Sequence, residues 1–164
     1  MDKLKKIPNT ETLEFKDKFV ERYSRLTDFN RFKKYSLSFL RRSIRVNALK
    51  ISVSDLKKRM KKWGLKQIPW CKEGFWIEHE TGRRDIGNTV EHSLGYIYVQ
   101  EAASMIPPIV LDPKPGEVVL DMCASPGSKA SQIAALMKNK GIFIANDIKG
   151  DRIAALGINL QRMG

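Results

Sequence analysis

Apolar side chains recur three and four positions apart at Phe15, Phe19, Tyr23 and Leu26, a spacing that predicts a helix with Thr12 as its capping residue. Phe29, Phe32 and Tyr35 predict a second, short helix beyond the triplet LTD, and the rings of both helices are read as core rather than as base-stacking platforms. In SIRVNALKI the pattern changes to alternation. Ile44, Val46 and Ala48 fall on one face and Arg45 and Asn47 on the other, as in a half-buried strand. The helical period returns in SVSDLKKRMKKWG, with Val53, Leu56, Met60 and Trp63 in one stripe, Ser54 able to cap and Gly64 placed as the stop. LKQIPWCKEGFWIE reads as two extended segments around a turn at Glu73–Gly74, and TGRRDIGNTVEHSLG as a polar, glycine-punctuated linker. Residues 1–95 are therefore expected to form a small, helix-rich α+β module.

From residue 99 the pattern differs. VQEAASMIPPIVL is an apolar-faced helix interrupted by Pro107 and Pro108, DPKPGE a turn, and VVLDM a continuous apolar strand. KASQIAALMKNKG follows as a helix with Ile133, Leu136 and Met137 on its buried side and Gly141 as its stop. IFIAN is a second apolar strand and GDRIAALGINLQRMG a second helix. Strand, loop, helix, strand, helix opens a doubly wound α/β sheet, expected over residues 96–164.

Length and composition add limits. With 164 residues and 42% hydrophobic content, the chain can bury one ordinary core or two small ones. No apolar run approaches the roughly 18 residues of a membrane span, and MDKLKKIPNTETLEF lacks the apolar segment of a signal peptide, so a cytoplasmic protein is expected. Cys71 and Cys123 lie far apart in unlike contexts, which predicts free thiols and no metal site. Charge is divided unevenly. Residues 1–66 hold 20 Lys and Arg against 7 Asp and Glu, whereas the remainder holds 10 against 11. Such a surface suits a polyanion, most simply nucleic acid, although KKRMKK alone would be an ordinary solvated face. With no hydrophobic anchor, a membrane surface is the weaker partner.

The chemistry-bearing stretch is DMCASPGSK, residues 121–129. In an open α/β sheet ligands bind beyond the carboxyl ends of the strands, where this loop lies, and Asp147 ends the next strand. Small residues let a ligand approach backbone N–H groups at the following helix start, where an anionic group is favoured. A carboxylate one strand later can accept both hydroxyls of a ribose. The pair asks for a nucleoside with a charged tail, and neither the dinucleotide fingerprint nor the P-loop is present. Each aspartate alone could equally be a helix cap; two at strand ends favour a cofactor site.

DMCASPGSKASQ resembles the first cofactor motif of the NOL1/NOP2/Sun family of RNA cytosine-C5 methyltransferases, usually D-x-C-A-A-P-G-G-K-T. GYIYVQEAASMIPPIVLDPKPGEVVLD resembles the segment before that motif, SIRVNALK the N-terminal region that helps bind RNA, and IANDIKGDRIAALGINLQRMG the second cofactor segment. The likeness runs in register from about residue 43 to the end. Ser125, Ser128 and Ala130 depart from the usual Ala, Gly and Thr, but all are small.

The resemblance implies a Rossmann-like methyltransferase sheet, incomplete here, preceded by an RNA-binding α+β module. It implies S-adenosylmethionine held by Cys123, Ala124, Ser125, Pro126, Gly127, Ser128 and Lys129, with Asp147 on the ribose hydroxyls and Arg152 as a further basic residue. At Lys129 a cation opposes the helix dipole, which hints at a ligand; for Arg152 a plain surface role reads equally well. RNA contacts are expected from Arg41, Arg42, Arg45, Asn47 and Lys50, with tRNA favoured over rRNA. The family's catalytic cysteines follow Pro and Thr in later segments, and neither dipeptide occurs here, so no catalytic residue is assigned. The expectation is the amino-terminal part of a longer methyltransferase, inert alone. Two alternatives stand beside it. One is a non-catalytic RNA-binding protein or half of a split enzyme; the other is a methyltransferase of small molecules or proteins, weakened by the basic N-terminal half. Salt-dependent RNA binding separates the last from the others.

Overall fold

The structure, a computed structural model, describes residues 5–164, so the first four residues of the stretch read for a signal peptide lie outside it. One compact unit runs to Leu40 and a second comprises Arg41–Gly164. The expected boundary at residue 95 falls inside the second unit, between a short helix and a strand of the antiparallel sheet.

In the first unit, α1 (Asp17–Ser24) and α2 (Phe29–Ser36) follow the two aromatic stripes. Phe19 and Tyr23 lie 4.4 Å apart by ring centroids and Tyr23 and Phe32 4.6 Å, so the rings pack on one another. Thr12 is not a cap, because α1 opens after Lys16 without a side-chain cap; α2 is capped by Asp28, which accepts from Arg31 N at 2.9 Å. Leu26 ends the stripe in solvent.

The second unit begins with a four-stranded antiparallel sheet in the order β2-β3-β1-β4, formed by β1 (Ser43–Val46), β2 (Trp63–Ile68), β3 (Cys71–His79) and β4 (Ile97–Val99). Ile44, Val46, Phe75, Ile77 and Ile97 pack with Leu56 and Met60, which lie on and just beyond α3 (Val53–Arg59). Two boundaries differ from the sequence pattern. Ser52, not Ser54, caps α3, and the helix stops before Trp63 and Gly64 because these pair with His79 and Glu78 in the β2–β3 ladder. The hairpin turns at Pro69–Trp70, where proline needs no ladder donor, while Glu73 and Gly74 lie inside β3. Gln67 Nε2 closes that turn by donating to the carbonyls of Cys71 at 2.6 Å and Gly74 at 2.9 Å. The stretch read as a linker holds a single helical turn (Ile86–Asn88) and α4 (Val90–Ser93), capped by Thr89.

Pro107 and Pro108 do not interrupt a helix. They sit in the first turn of α5 (Ile106–Leu111), where the ladder requires no N–H. Beyond it β5 (Val118–Asp121) pairs in parallel with β6 (Ile142–Ala145), with α6 (Ser128–Leu136) as the crossover and α7 (Gly150–Met163) following. Ala124, Ala130 and Leu156 form the core of this part, with Phe143 and Ala145 packed on it, while Val118, Leu120, Ile142 and Ile144 leave the other face of the two strands exposed. No helix among the described residues is long and apolar enough to cross a membrane.

Candidate functional site

The loop between β5 and α6 is held at both ends by β6. Asn146 N donates to Asp121 O at 2.9 Å and Ala124 N to Asn146 O at 2.8 Å, so the two strand ends stay together after the ladder stops. Asp121 Oδ1 accepts from Cys123 N at 3.1 Å in a local turn, and Asp147 Oδ2 accepts from Ser125 N at 3.2 Å. Neither aspartate caps a helix: α6 starts after Gly127 and α7 after Lys149, both without side-chain caps. Asp147 is buried, with Arg152 Nη1 at 3.5 Å from Oδ1. Arg152 also donates from Nη2 to Ser125 O at 3.2 Å, while Ser125 Oγ donates to Arg152 O at 2.8 Å. The sequence-predicted residues Cys123 to Lys129, Asp147 and Arg152 thus meet in one place.

Gly127 has φ +107°, and a Cβ there would lie 3.2 Å from Leu156 Cδ1. That conformation turns the chain into α6, whose first ladder bond runs from Ser131 N to Gly127 O at 2.9 Å and leaves the first-turn N–H groups outside the ladder. Lys129 stands exposed in that turn. Two residues that the sequence did not single out also position the loop. Asn159 Nδ2 donates to Pro126 O at 2.8 Å and Tyr98 Oη donates to the same oxygen at 3.4 Å. The local pattern carries no signal for either, since their partner is distant in sequence.

The expected RNA face of β1 is corrected. Arg45 and Asn47 are 2% and 1% exposed, because that side of the sheet packs on α6 and α7 instead of facing solvent. Arg45 donates from Nε to Gln100 Oε1 and from Nη2 to Ser131 Oγ, both at 2.8 Å, and burial pushes its pKa down to about 10. Gln100 Nε2 continues the network to Gln132 Oε1 at 2.9 Å. Asn47 Nδ2 donates to Gly95 O at 3.0 Å and Met163 O at 2.7 Å. Lys50 is exposed, but its ammonium is spent on Arg162 O at 2.8 Å and Leu94 O at 3.3 Å, which neutralises the carbonyl end of α7. Arg162 in turn donates to His92 O at 2.8 Å, and partial burial lowers its pKa. Of the predicted RNA contacts only Arg41 and Arg42 remain at the surface without a place in this seam; Arg42 Nη1 donates to Arg84 O and the Arg41 guanidinium lies 5.3 Å over Trp76.

Cys71 is buried, and desolvation raises its pKa, the reverse of what a thiolate nucleophile needs. Cys123 is an exposed loop thiol. No cluster of metal-ligating side chains exists among the described residues.

Comparison with known proteins gives a consistent outcome. Residues 15–102 match the family described as the N-terminal domain of 16S rRNA methyltransferase RsmF, and residues 108–164 match 16S rRNA methyltransferase RsmB/F. A tRNA (cytosine(49)-C(5))-methyltransferase of Pyrococcus abyssi is 51% identical over 149 residues, covering 90% of this chain and 47% of that protein. A ribosomal RNA small subunit methyltransferase F of Vibrio parahaemolyticus is 48% identical over 129 residues, covering 76% of this chain and 27% of the relative. A crystal structure of a methyltransferase homologue from Pyrococcus horikoshii superposes with a TM-score of 0.76 at 40% identity, over 92% of this chain and 54% of that one. The chain thus spans about half or less of the curated relatives' length.

Proposed function

We propose, since the chain belongs to the RsmB/F (NOL1/NOP2/Sun) family of RNA cytosine-C5 methyltransferases and comprises its N-terminal domain and the start of its catalytic domain, that it holds S-adenosylmethionine and presents RNA to it. The observation that carries this reading is the loop geometry: a small-residue turn at a strand's carboxyl end, closed onto a buried carboxylate one strand away. The donor set fits the cofactor. First-turn N–H groups of α6 with Lys129 suit its carboxylate, and Asp147, whose carboxylate receives only one backbone N–H bond, retains acceptor capacity for ribose hydroxyls. Cys123, Ala124, Ser125, Pro126, Gly127 and Ser128 line the approach, and Arg152 locks Ser125 and Asp147 together. When bound, S-adenosylmethionine supplies an electrophilic methyl group. This chain's residues bind and orient it; neither cysteine is assigned as nucleophile. We place the functional division near the start of the catalytic domain, with residues 1–95 serving RNA and 96–164 serving the cofactor, in a cytoplasmic protein. A tRNA is the substrate proposed first, in line with the name of the 51% identical relative.

Calorimetric titration with S-adenosylmethionine tests the site. Asp147→Ala is expected to weaken binding about tenfold or more, and Asp147→Asn, which can still accept from Ser125 N, to preserve the loop while losing charge-assisted ribose contacts. Wild-type affinity in both variants would remove Asp147 from the cofactor site. For RNA, reversing charge at Arg41 and Arg42 is expected to weaken tRNA binding and flatten its salt dependence; unchanged affinity and slope would exclude both residues from the interface.

A further inference from the structure

We propose that Trp70 and Trp76, with Arg41 and Lys66, form a stacking platform for an unpaired nucleobase of the RNA, a reading that rests on the proposed RNA substrate. The motif QIPWCKEGFW contributes Ile68 and Cys71 to a small core with Met105, yet Trp70 between them stays 42% exposed at the hairpin turn. Its ring is fixed. Nε1 donates to Ala102 O at 3.0 Å, and the indole stands edge-on to Trp76, 5.8 Å away at 88°. An indole whose polar atom is already satisfied by backbone offers a pre-oriented apolar surface, and a base stacking on it costs little side-chain entropy.

The surroundings favour nucleic acid as the occupant. The Arg41 guanidinium lies 5.3 Å over the Trp76 ring, and Lys66 is the cross-strand partner of Trp76 on β2. Aromatic faces interleaved with cations are the composition that binds single-stranded RNA, bases on rings and phosphates on charges. Register gives the platform its place. Residues directly opposite in a ladder share a face, so Lys66, Trp76 and Ser43 stand on one side of the sheet, and two positions along, Gly74, Arg45 and Tyr98 stand on the same side. Tyr98 Oη touches Pro126 O of the cofactor loop. Ser43, Arg45 and Tyr98 are buried under the helices, whereas Lys66 and Trp70 are exposed and Trp76 is half-buried, so the platform occupies the uncovered β2–β3 end of that face, two strand spacings, roughly 10 Å, plus two residues from the Tyr98 contact beneath the cofactor loop.

The test uses this chain, a twelve-nucleotide unstructured pyrimidine RNA carrying one 4-thiouridine, and intact tRNA. Irradiation and mass-spectrometric mapping are expected to place the adduct on Trp70 or Trp76. Trp70→Ala is expected to weaken the oligonucleotide about tenfold and Trp70→Phe, which keeps a ring, less than about threefold, with the salt slope unchanged because no charge is removed. Adducts found only elsewhere, or an alanine variant that binds like wild type, would overturn the platform. So would wild-type protein that binds tRNA in a salt-dependent way but ignores the oligonucleotide, an outcome that leaves the RNA reading standing and moves the tryptophans to a protein contact. Failure to bind either RNA would overturn both. The cross-link needs no substitution, so an unfolded variant does not shield the proposal.

Discussion

Gly95→Ala is expected to lower stability by about 4 kcal/mol or more, read as a fall in the urea midpoint with little change in slope. Gly95 has φ +70°, and a Cβ at this position would lie 1.9 Å from Arg162 O and 2.9 Å from the carbonyl carbon. Both neighbours are backbone, so relief requires moving the end of α7. The left-handed conformation alone costs alanine about 1 kcal/mol, and the displacement adds the bonds that Asn47 makes to Gly95 O and Met163 O and that Lys50 makes to Arg162 O. Because Asn159 on α7 also holds Pro126 O, cofactor affinity should fall with stability. A loss below about 1 kcal/mol would mean that α7 is docked more loosely than this approach implies.

Arg45→Ala is expected to cost about 3 kcal/mol, and Arg45→Met only about 1 kcal/mol. The guanidinium is buried with neutral partners, Gln100 and Ser131, and at neutral pH the desolvation that brings its pKa to about 10 already works against the folded state. Alanine removes that cost but leaves a cavity and deprives Gln100 Oε1 of its donor; methionine fills the space. Equal losses in the two variants would mean that the hydrogen bonds, not the volume, dominate. The pH dependence has a definite sign. Burial holds the folded pKa below that of the unfolded chain's arginine, so between the two the unfolded chain holds more protons and this group's contribution to stability rises with pH. Wild type should therefore gain on Arg45→Met as pH rises from about 9 to about 11 in paired urea titrations.

Much of the architecture is legible in the residue pattern. The aromatic stripes at Phe15–Tyr23 and Phe29–Tyr35 became α1 and α2, and the apolar runs at residues 118–121 and 142–145 became parallel strands joined by a helix. Such elements follow from periodicity, which neighbouring residues decide among themselves. Errors fall where a distant partner competes. Trp63 and Gly64 fit a helical stripe and its stop, yet a ladder with His79 and Glu78 takes them; Pro69–Trp70 turns the hairpin whose turn was expected at Glu73–Gly74. The loop residues and Asp147 were legible for the same local reason as the strands, since strand ends locate them. Their mutual bonds, and those from Asn159 and Tyr98, were not.

The sequence alone established the family, the α/β succession and the small-residue loop at a strand end, because each resides in contiguous residue types. Only the tertiary structure decided what the polar face of β1 does. Alternation puts Arg45 and Asn47 opposite the core, and in an isolated sheet that side would meet water. Here α6 and α7 cover it, so a guanidinium and an amide that read as RNA contacts instead satisfy Gln100, Ser131 and the carbonyls of Gly95 and Met163. Period two tells which residues share a face; which face is covered depends on packing by residues more than fifty positions away, and no local pattern encodes that.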